Sequence, residues 1–400
     1  MAPMVIVGAG ECGTRAAFAL RENGWQGGIV LVGEESGLPY ERPPLSKPGE
    51  AGVVRRGICD PAALAAHGIE YRAATRVESL DRMQRTLRLS DGESLSYGKL
   101  LLATGARPRA LVCPGGDAAL PLRTHDDARA LFDRISPGAH AVLVGAGLIG
   151  MELAATLRQA GMAVTVVEAG ERALGRGVPA AVAQSLQERH CAAGVAFRFG
   201  TGIERIGEGS VWLADGSRLP ADMVLAAIGV VPETRLAEQA GLAVDSGIVV
   251  DERLCSSDPD IHAAGDCARF RCQRTGETSR LESWQNARDQ GGHAARAMLG
   301  AADAFDAIPW FWSDQYELGL QLAGWPSQQG QLLARRVDAG TTLYFQLDDE
   351  GRLLSACGLG PGNGVARDVK LAQMLIRRGL PVSAASLQDP GIPLKSMLRG

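Results

Sequence analysis

Two clusters of glycines in this 400-residue chain have the spacing that cradles a phosphate: Gly8-Ala9-Gly10-Glu11-Cys12-Gly13 and Gly145-Ala146-Gly147-Leu148-Ile149-Gly150. In such a turn the first glycine permits the tight reversal and the second lets the backbone close on a pyrophosphate. The third lets helix lie on strand. Free N–H groups and the positive dipole end of the following helix then face the phosphates. A carboxylate about 20 residues further on accepts from ribose hydroxyls. Glu34 and Glu168 fill that place, 21 (34−13) and 18 (168−150) residues beyond the third glycine.

The chemistry needs a strand, a turn, a helix and a second strand in that order, and both copies supply them. Met4–Val7 and Ala141–Val144 run as short apolar strands into the first glycine. A helical stretch follows each copy and stops at Asn23-Gly24 or Ala160-Gly161. Ile29–Val32 then precedes Glu34, and Val164–Val167 precedes Glu168. With 51 glycines in the chain, three at fixed offsets arise about once by chance, so this context decides. Gly175-Arg176-Gly177-Val178-Pro179-Ala180 fits the variant pattern ending in alanine, but no strand enters it and Pro179 stands where the helix should begin. It is discarded. Two surviving copies imply two dinucleotides on one chain, the arrangement of a flavin enzyme reduced by a nicotinamide.

The halves repeat beyond their glycines. The turn Asp91-Gly92 matches Asp215-Gly216, and the strand leading to Gly105 matches the one leading to Gly229; both pairs are 124 positions apart. The fingerprints are 137 apart (145−8), so the first half carries 13 extra residues (137−124). The Pro-rich stretch Pro39-Tyr40-Glu41-Arg42-Pro43-Pro44-Leu45-Ser46-Lys47-Pro48 is the natural place for them. Proline fixes φ and restricts its predecessor, so Arg42 and Lys47 are expected to be held rather than free in solvent.

A net charge of −4 and the lack of a Lys/Arg run argue against nucleic acid as a partner. The first strand begins by Met4 and no apolar run approaches a membrane span, so a cytoplasmic chain with no membrane association is expected. Eight scattered cysteines, with no Cys-x-x-Cys, read as reduced thiols and give no metal framework. Cys267 and Cys272 have the spacing of a redox pair but follow the Gly265-Asp266 turn, and Cys12 reads as packing in the phosphate turn. Glu168 and Glu171 should repel the 2′-phosphate of NADPH, with Arg172 and Arg176 the residues able to offset them.

Seven motifs carry a family resemblance: PYERPPLSK (Pro39 to Lys47), LATGAR (Leu102 to Arg107, with Ala103, Thr104 and Gly105), VGAGLIGME (Val144 to Glu152), AAIGVVP (Ala226 to Pro232), AAGDC (Ala263 to Cys267), RLESWQNA (Arg280 to Ala287) and PWFWSDQ (Pro309 to Gln315). Taken in order they resemble the FAD-containing, NADH-dependent ferredoxin reductases of bacterial ring-hydroxylating dioxygenase systems, with the putidaredoxin and rubredoxin reductases. The resemblance covers nearly the whole chain.

It implies an FAD site drawn from Gly8, Gly10, Cys12, Gly13, Glu34, Arg42, Lys47, Ala103, Thr104, Gly105, Arg123, Gly265, Asp266, Ser283, Trp284 and Trp312. The implied NAD site comprises Gly145, Gly147, Ile149, Gly150, Glu152, Glu168 and Gly229. Lys47 and Glu152 are the implied catalytic residues, Lys47 as the cation beside the flavin and Glu152 beside the nicotinamide. NADH then delivers a hydride to FAD, and electrons pass singly to a [2Fe–2S] ferredoxin of Rieske or plant type. An acidic ferredoxin would meet a basic face, for which Lys370, Arg377, Arg378, Lys395 and Arg399 are candidates.

The implied fold is α/β: two Rossmann-like dinucleotide-binding domains of the glutathione-reductase type plus a C-terminal α/β domain, in a monomer or homodimer. The expected division is an FAD domain at 1–110 and 235–308, an NAD domain at 111–234 and a C-terminal domain at 309–400, with strands at Phe345, Leu347, Leu353 and Leu354 around a turn at Asp349–Gly351. A flavin disulfide reductase or peroxidase would need a cysteine in the 39–48 loop, which has none; a water-forming NADH oxidase usually has one there too and stays an alternative. A redox-sensing interaction protein like apoptosis-inducing factor shares the fold, and the acidic charge weighs against its use of DNA.

Overall fold

The computed structural model describes residues 2–49, 52–175, 177–327 and 330–398. Arg176 and Arg399 lie outside the described residues. Two compact units form, the first from Met1–Arg42, Arg55–Arg107 and Val230–Ala307, the second from Pro43–Val54, Pro108–Gly229 and Ile308–Gly400.

In the first unit, apolar runs without alternation give strands buried on both faces, as parallel sheets require. Ile261–Ala263, Lys99–Leu102, Met4–Val7, Ile29–Val32 and Ile69–Arg72 line up in that order, all parallel. The first fingerprint helix, Glu11–Glu22, packs against Trp284–Met298, whose Ser283 caps it by accepting from the Asn286 N–H at 3.2 Å. Gly291 makes that crossing close, since a Cβ there would stand 2.3 Å from the Cys12 carbonyl oxygen.

The second unit repeats this plan. Its parallel sheet runs Val195–Phe199, Ala163–Glu168, His140–Val144, Met223–Ala226, and the second fingerprint helix is Leu148–Gln159. Each unit also carries a three-stranded antiparallel sheet whose last turn holds the expected Asp-Gly pair: Thr86–Leu89 to Ser94–Ser96, and Ser210–Leu213 to Arg218–Pro220. A five-stranded antiparallel sheet follows, in the order Trp310–Gln315, Leu318–Gly324, Leu353–Pro361, Thr342–Leu347, Gln331–Arg336, with helix Ala366–Arg378 packed on it. Leu320, Leu322, Cys357 and Leu359 share one hydrophobic core with Leu143, Met151 and Leu157. Residues 309–400 therefore pack as part of the second unit.

The Pro-rich insertion divides. Tyr40 and Arg42 stay with the first unit, whereas Pro43–Val54 belongs to the second. The physical reason is polar. The Thr156 hydroxyl donates to the Ser46 carbonyl at 2.9 Å, and the Ser46 and Lys47 side chains both bond Glu152.

Candidate functional site

The two glycine turns are geometrical repeats. A Cβ at Gly8 would lie 2.1 Å from the Ala103 carbonyl oxygen, and one at Gly145 would lie 2.4 Å from that of Ala227. A Cβ at Gly13 would lie 1.9 Å from the Gly8 oxygen, and one at Gly150 would lie 2.0 Å from the Gly145 oxygen. Those four glycines are required by the protein's own packing. Gly10 and Gly147 differ: a Cβ at either meets nothing within 4 Å. The open space in front of the second glycine is what a pyrophosphate needs, beside a helix start that no side chain caps. The residues present fit two dinucleotides.

In the first unit, residues far apart in sequence gather around this turn. Gly265, at φ +81°, brings its backbone against Cys12, and its N–H donates to the Gln290 amide oxygen at 2.7 Å. The Gln290 amide nitrogen is buried with no protein partner, the kind of orphan donor a bound cofactor satisfies. Asp266 follows in the same tight turn. The Thr104 hydroxyl donates to the Glu233 carbonyl at 2.6 Å, fixing the end of the strand that leads to Gly105. Burial raises the carboxyl pKa of Glu11, with Glu41 adding to it. Arg288 lies 5.5 Å over the Trp284 ring. Glu34 pairs with Arg76 at 2.8 Å and is well exposed. Arg42 pairs with Glu35 at 2.6 Å and lies over the Tyr40 ring. Both insertion cations are held, each by a carboxylate.

In the second unit, Glu168 ends its strand with both carboxylate oxygens committed, one to the Ala146 N–H and one to the Gly170 N–H, each at 2.8 Å. Arg172 points its guanidinium at the carbonyls of Ala173, Leu174, Gly175 and Val178. It is engaged in shaping its own loop. Ile149 stands exposed as the second residue of the second fingerprint helix, and the Arg123 N–H donates to Asp127 at 3.0 Å just ahead of helix His125–Phe132.

Glu152 is the polar centre of this unit, 4% exposed just past the first turn of the second fingerprint helix. Lys47 donates to Oε1 at 2.9 Å and Ser313 donates to the same oxygen at 2.7 Å, while Ser46 donates to Oε2. Asp314 adds a second carboxylate 3.7 Å from the Lys47 ammonium. Trp312 stacks on Trp310 with ring centroids 5.1 Å apart. Lys47 and Glu152 were both legible from sequence motifs; Ser46, Ser313, Gln315 and His190 were not. Strand alternation was the available signal, because it turns Ser313 and Gln315 to the same face, and that face is buried.

The thiols take no part in a disulfide: all eight cysteines are free. Cys267 is buried and donates to the Leu102 and Ala264 carbonyls. Burial pushes the Cys12 thiol well up and the Cys267 thiol up. Among the described residues no cluster of His, Cys, Asp or Glu suits a metal, and no helix is long and apolar enough to cross a membrane.

Residues 2–291 match the pyridine nucleotide-disulphide oxidoreductase family, and residues 310–398 match the reductase C-terminal family. The chain belongs to this flavoprotein reductase family. Its cofactors are FAD and NAD(H). It is 38% identical to putidaredoxin reductase of Pseudomonas putida, over 99% of this chain and 96% of that one. The ferredoxin–NAD(+) reductase component of the anthranilate 1,2-dioxygenase system of Burkholderia cepacia is 39% identical, over 99% of both chains. Among solved structures, the ferredoxin reductase for the CYP199A2 system of Rhodopseudomonas palustris superposes with a TM-score of 0.94 at 36% identity, covering 99% of this chain and 100% of that one. The covalent putidaredoxin reductase–putidaredoxin complex superposes at 0.91 and 36% identity, covering 100% and 98%.

Proposed function

We propose that this chain is an NADH:ferredoxin oxidoreductase that supplies a [2Fe–2S] ferredoxin of Rieske or plant type, and through it an aromatic-ring oxygenase. The observation that carries this is the duplicated fingerprint with open space at the second glycine of each copy, in a chain with full-length ferredoxin-reductase relatives. When bound, FAD supplies the step from two-electron hydride acceptance to one-electron delivery.

The residues supply position and charge. Gly10, Cys12, Gly13, Glu34, Gly265 and Asp266 hold FAD in a domain at 1–110 and 235–308; Gly147, Gly150 and Glu168 hold NADH in a domain at 111–234, with 309–400 as a C-terminal domain. Lys47 stabilises negative charge developing during reduction, and Glu152 orients Lys47 and the nicotinamide. Lys370, Arg377, Arg378 and Lys395 form the basic face for the ferredoxin. The protein works in the cytoplasm as a monomer or homodimer.

The purified protein should be yellow, with one FAD per chain. Anaerobic NADH should bleach it, and a purified [2Fe–2S] ferredoxin should restore the oxidised spectrum. A colourless protein that takes up no FAD on refolding overturns the reading.

A further inference from the structure

The strand Trp310–Gln315 buries two polar side chains, Ser313 at 0% and Gln315 at 1% exposure. A buried amide is costly unless both of its ends are bonded. Both ends of Gln315 are: its amide nitrogen donates to the Ser313 hydroxyl at 3.0 Å, and its oxygen lies 2.9 Å from Nε2 of His190. His190 is 0% exposed, in the last turn of helix Ala180–Ala192. Its Nδ1 lies 3.5 Å from the Tyr316 hydroxyl, the rings meeting edge to face at 4.9 Å. Tyr316 sits at φ +56°, a conformation that persists in a non-glycine residue only when its surroundings hold it.

One arrangement of hydrogens satisfies every contact. Ser313 has a single hydroxyl hydrogen, and a carboxylate oxygen 2.7 Å away has none. That hydrogen therefore belongs to Glu152, and Ser313 must accept from Gln315. The Gln315 oxygen then faces His190, which must donate from Nε2 and accept at Nδ1. The flipped amide would take the Ser313 hydrogen and leave two oxygens facing each other with nothing between. Burial holds the imidazole neutral, its pKa lowered to about 4, so it has one N–H to give at neutral pH.

We propose that His190, Gln315 and Ser313 are positioning residues, a one-directional chain of donors that fixes the Glu152 carboxylate and, through it, the Lys47 ammonium during flavin reduction. This rests on the reading of Lys47 and Glu152 given above. An amide passes no proton readily, so the chain orients rather than relays. The three residues come from a helix and a strand remote in sequence, and the bonds between them end at Glu152.

Nitrogen-15 NMR of histidine-labelled holoenzyme and anaerobic stopped-flow reduction by NADH test it together. The wild-type His190 resonances should show the neutral Nε2–H tautomer. Ser313→Ala, which removes one oxygen atom, should slow flavin reduction by about fivefold or more. Gln315→Glu, which draws the Ser313 hydrogen away from Glu152, should do the same. Gln315→Met removes the donor that directs the Ser313 hydrogen but adds no competing acceptor, so it should slow reduction measurably, by about twofold, and less than Gln315→Glu does. An Nδ1–H tautomer in the wild type overturns the proposal, as does equal slowing by the Met and Glu substitutions, the mark of packing alone. Glu152→Gln separates the two levels. If it is slow while Ser313→Ala and Gln315→Glu match the wild type, the positioning role alone fails. If Glu152→Gln reduces at the wild-type rate, the reading of Glu152 fails and the chain's role fails with it.

Discussion

Lys47 is held between two carboxylates, Glu152 at 2.9 Å and Asp314 at 3.7 Å, and its side chain is one-quarter exposed. Lys47→Met should keep the fold and bound FAD, because Ser46 and Ser313 still donate to Glu152. Stopped-flow reduction by NADH should slow about tenfold or more, equivalent to about 1.4 kcal/mol of lost charge stabilisation. Lys99→Met should reduce at the wild-type rate, and an unslowed Lys47→Met would remove Lys47 from the catalytic residues. The committed guanidinium of Arg172 makes a second prediction sharp. With its N–H groups turned to four backbone carbonyls, it is ill placed to offset Glu168 against a 2′-phosphate. The kcat/KM ratio should favour NADH over NADPH by about tenfold or more; equal values would show the ribose site misread. Lys47 and Glu152 were legible one by one, Lys47 in a proline-fixed stretch and Glu152 two residues past a fingerprint, but their pairing across 105 positions was not. Nor were the pair's hydroxyl and amide partners, since Ser and Gln have no spacing signature and find their role only when the strand turns them inward.

At the scale of elements, the glycines separate cleanly into those the fold needs and those a ligand needs. Gly10→Ala meets no protein atom, so the apoprotein should melt near the wild-type temperature yet retain little FAD. Gly13→Ala and Gly291→Ala drive a methyl into the Gly8 and Cys12 carbonyls, and should lower stability by about 1–3 kcal/mol or more before any cofactor is added. Calorimetry with and without FAD distinguishes the two classes, and equal melting of Gly10→Ala and Gly13→Ala would refute the division. Replacing Cys12, Cys59, Cys267 and Cys272 by Ser or Ala should leave NADH-dependent ferricyanide reduction largely intact, because Cys12, Cys59 and Cys267 have thiols raised by burial and none of the four is bridged. Loss of flavin reduction with FAD retained at either Cys267 or Cys272 would revive a dithiol mechanism. Both strand–helix–strand units were legible because backbone approach admits only glycine at Gly8, Gly13, Gly145 and Gly150, and both Asp-Gly hairpins because Gly92 and Gly216 turn at φ +88° and +84°. The parting of the insertion after Arg42 was not: Glu35, which holds Arg42, and Glu152, which holds Lys47, lie 117 positions apart (152−35) with no local pattern joining them.

Across the whole molecule, two buried imidazoles set an acid limit. His190 and His262 have an ordinary value of 6.5 that burial lowers to about 4, so between those values the unfolded chain binds protons that the folded chain refuses. Stability therefore rises with pH through that window, and the melting temperature should fall as pH drops from about 7 to about 5. His262→Leu should flatten the slope; an unchanged slope would assign it to other groups. A different consequence follows from the divided insertion and the interleaved segments of each unit. The strand Ile261–Ala263 and helix Trp284–Met298 complete the first unit, and Trp310–Gln315 supplies Ser313 to a carboxylate that Ser46 and Lys47 also bond. On the ribosome the amino-terminal half thus waits for its partners: Lys47 is made 267 positions (314−47) before Asp314, its last partner. A nascent chain stopped before Trp284 should hold no flavin, so loading of the cofactor is a late event of biosynthesis, and FAD scarcity during rapid expression should accumulate apoprotein rather than half-loaded intermediates.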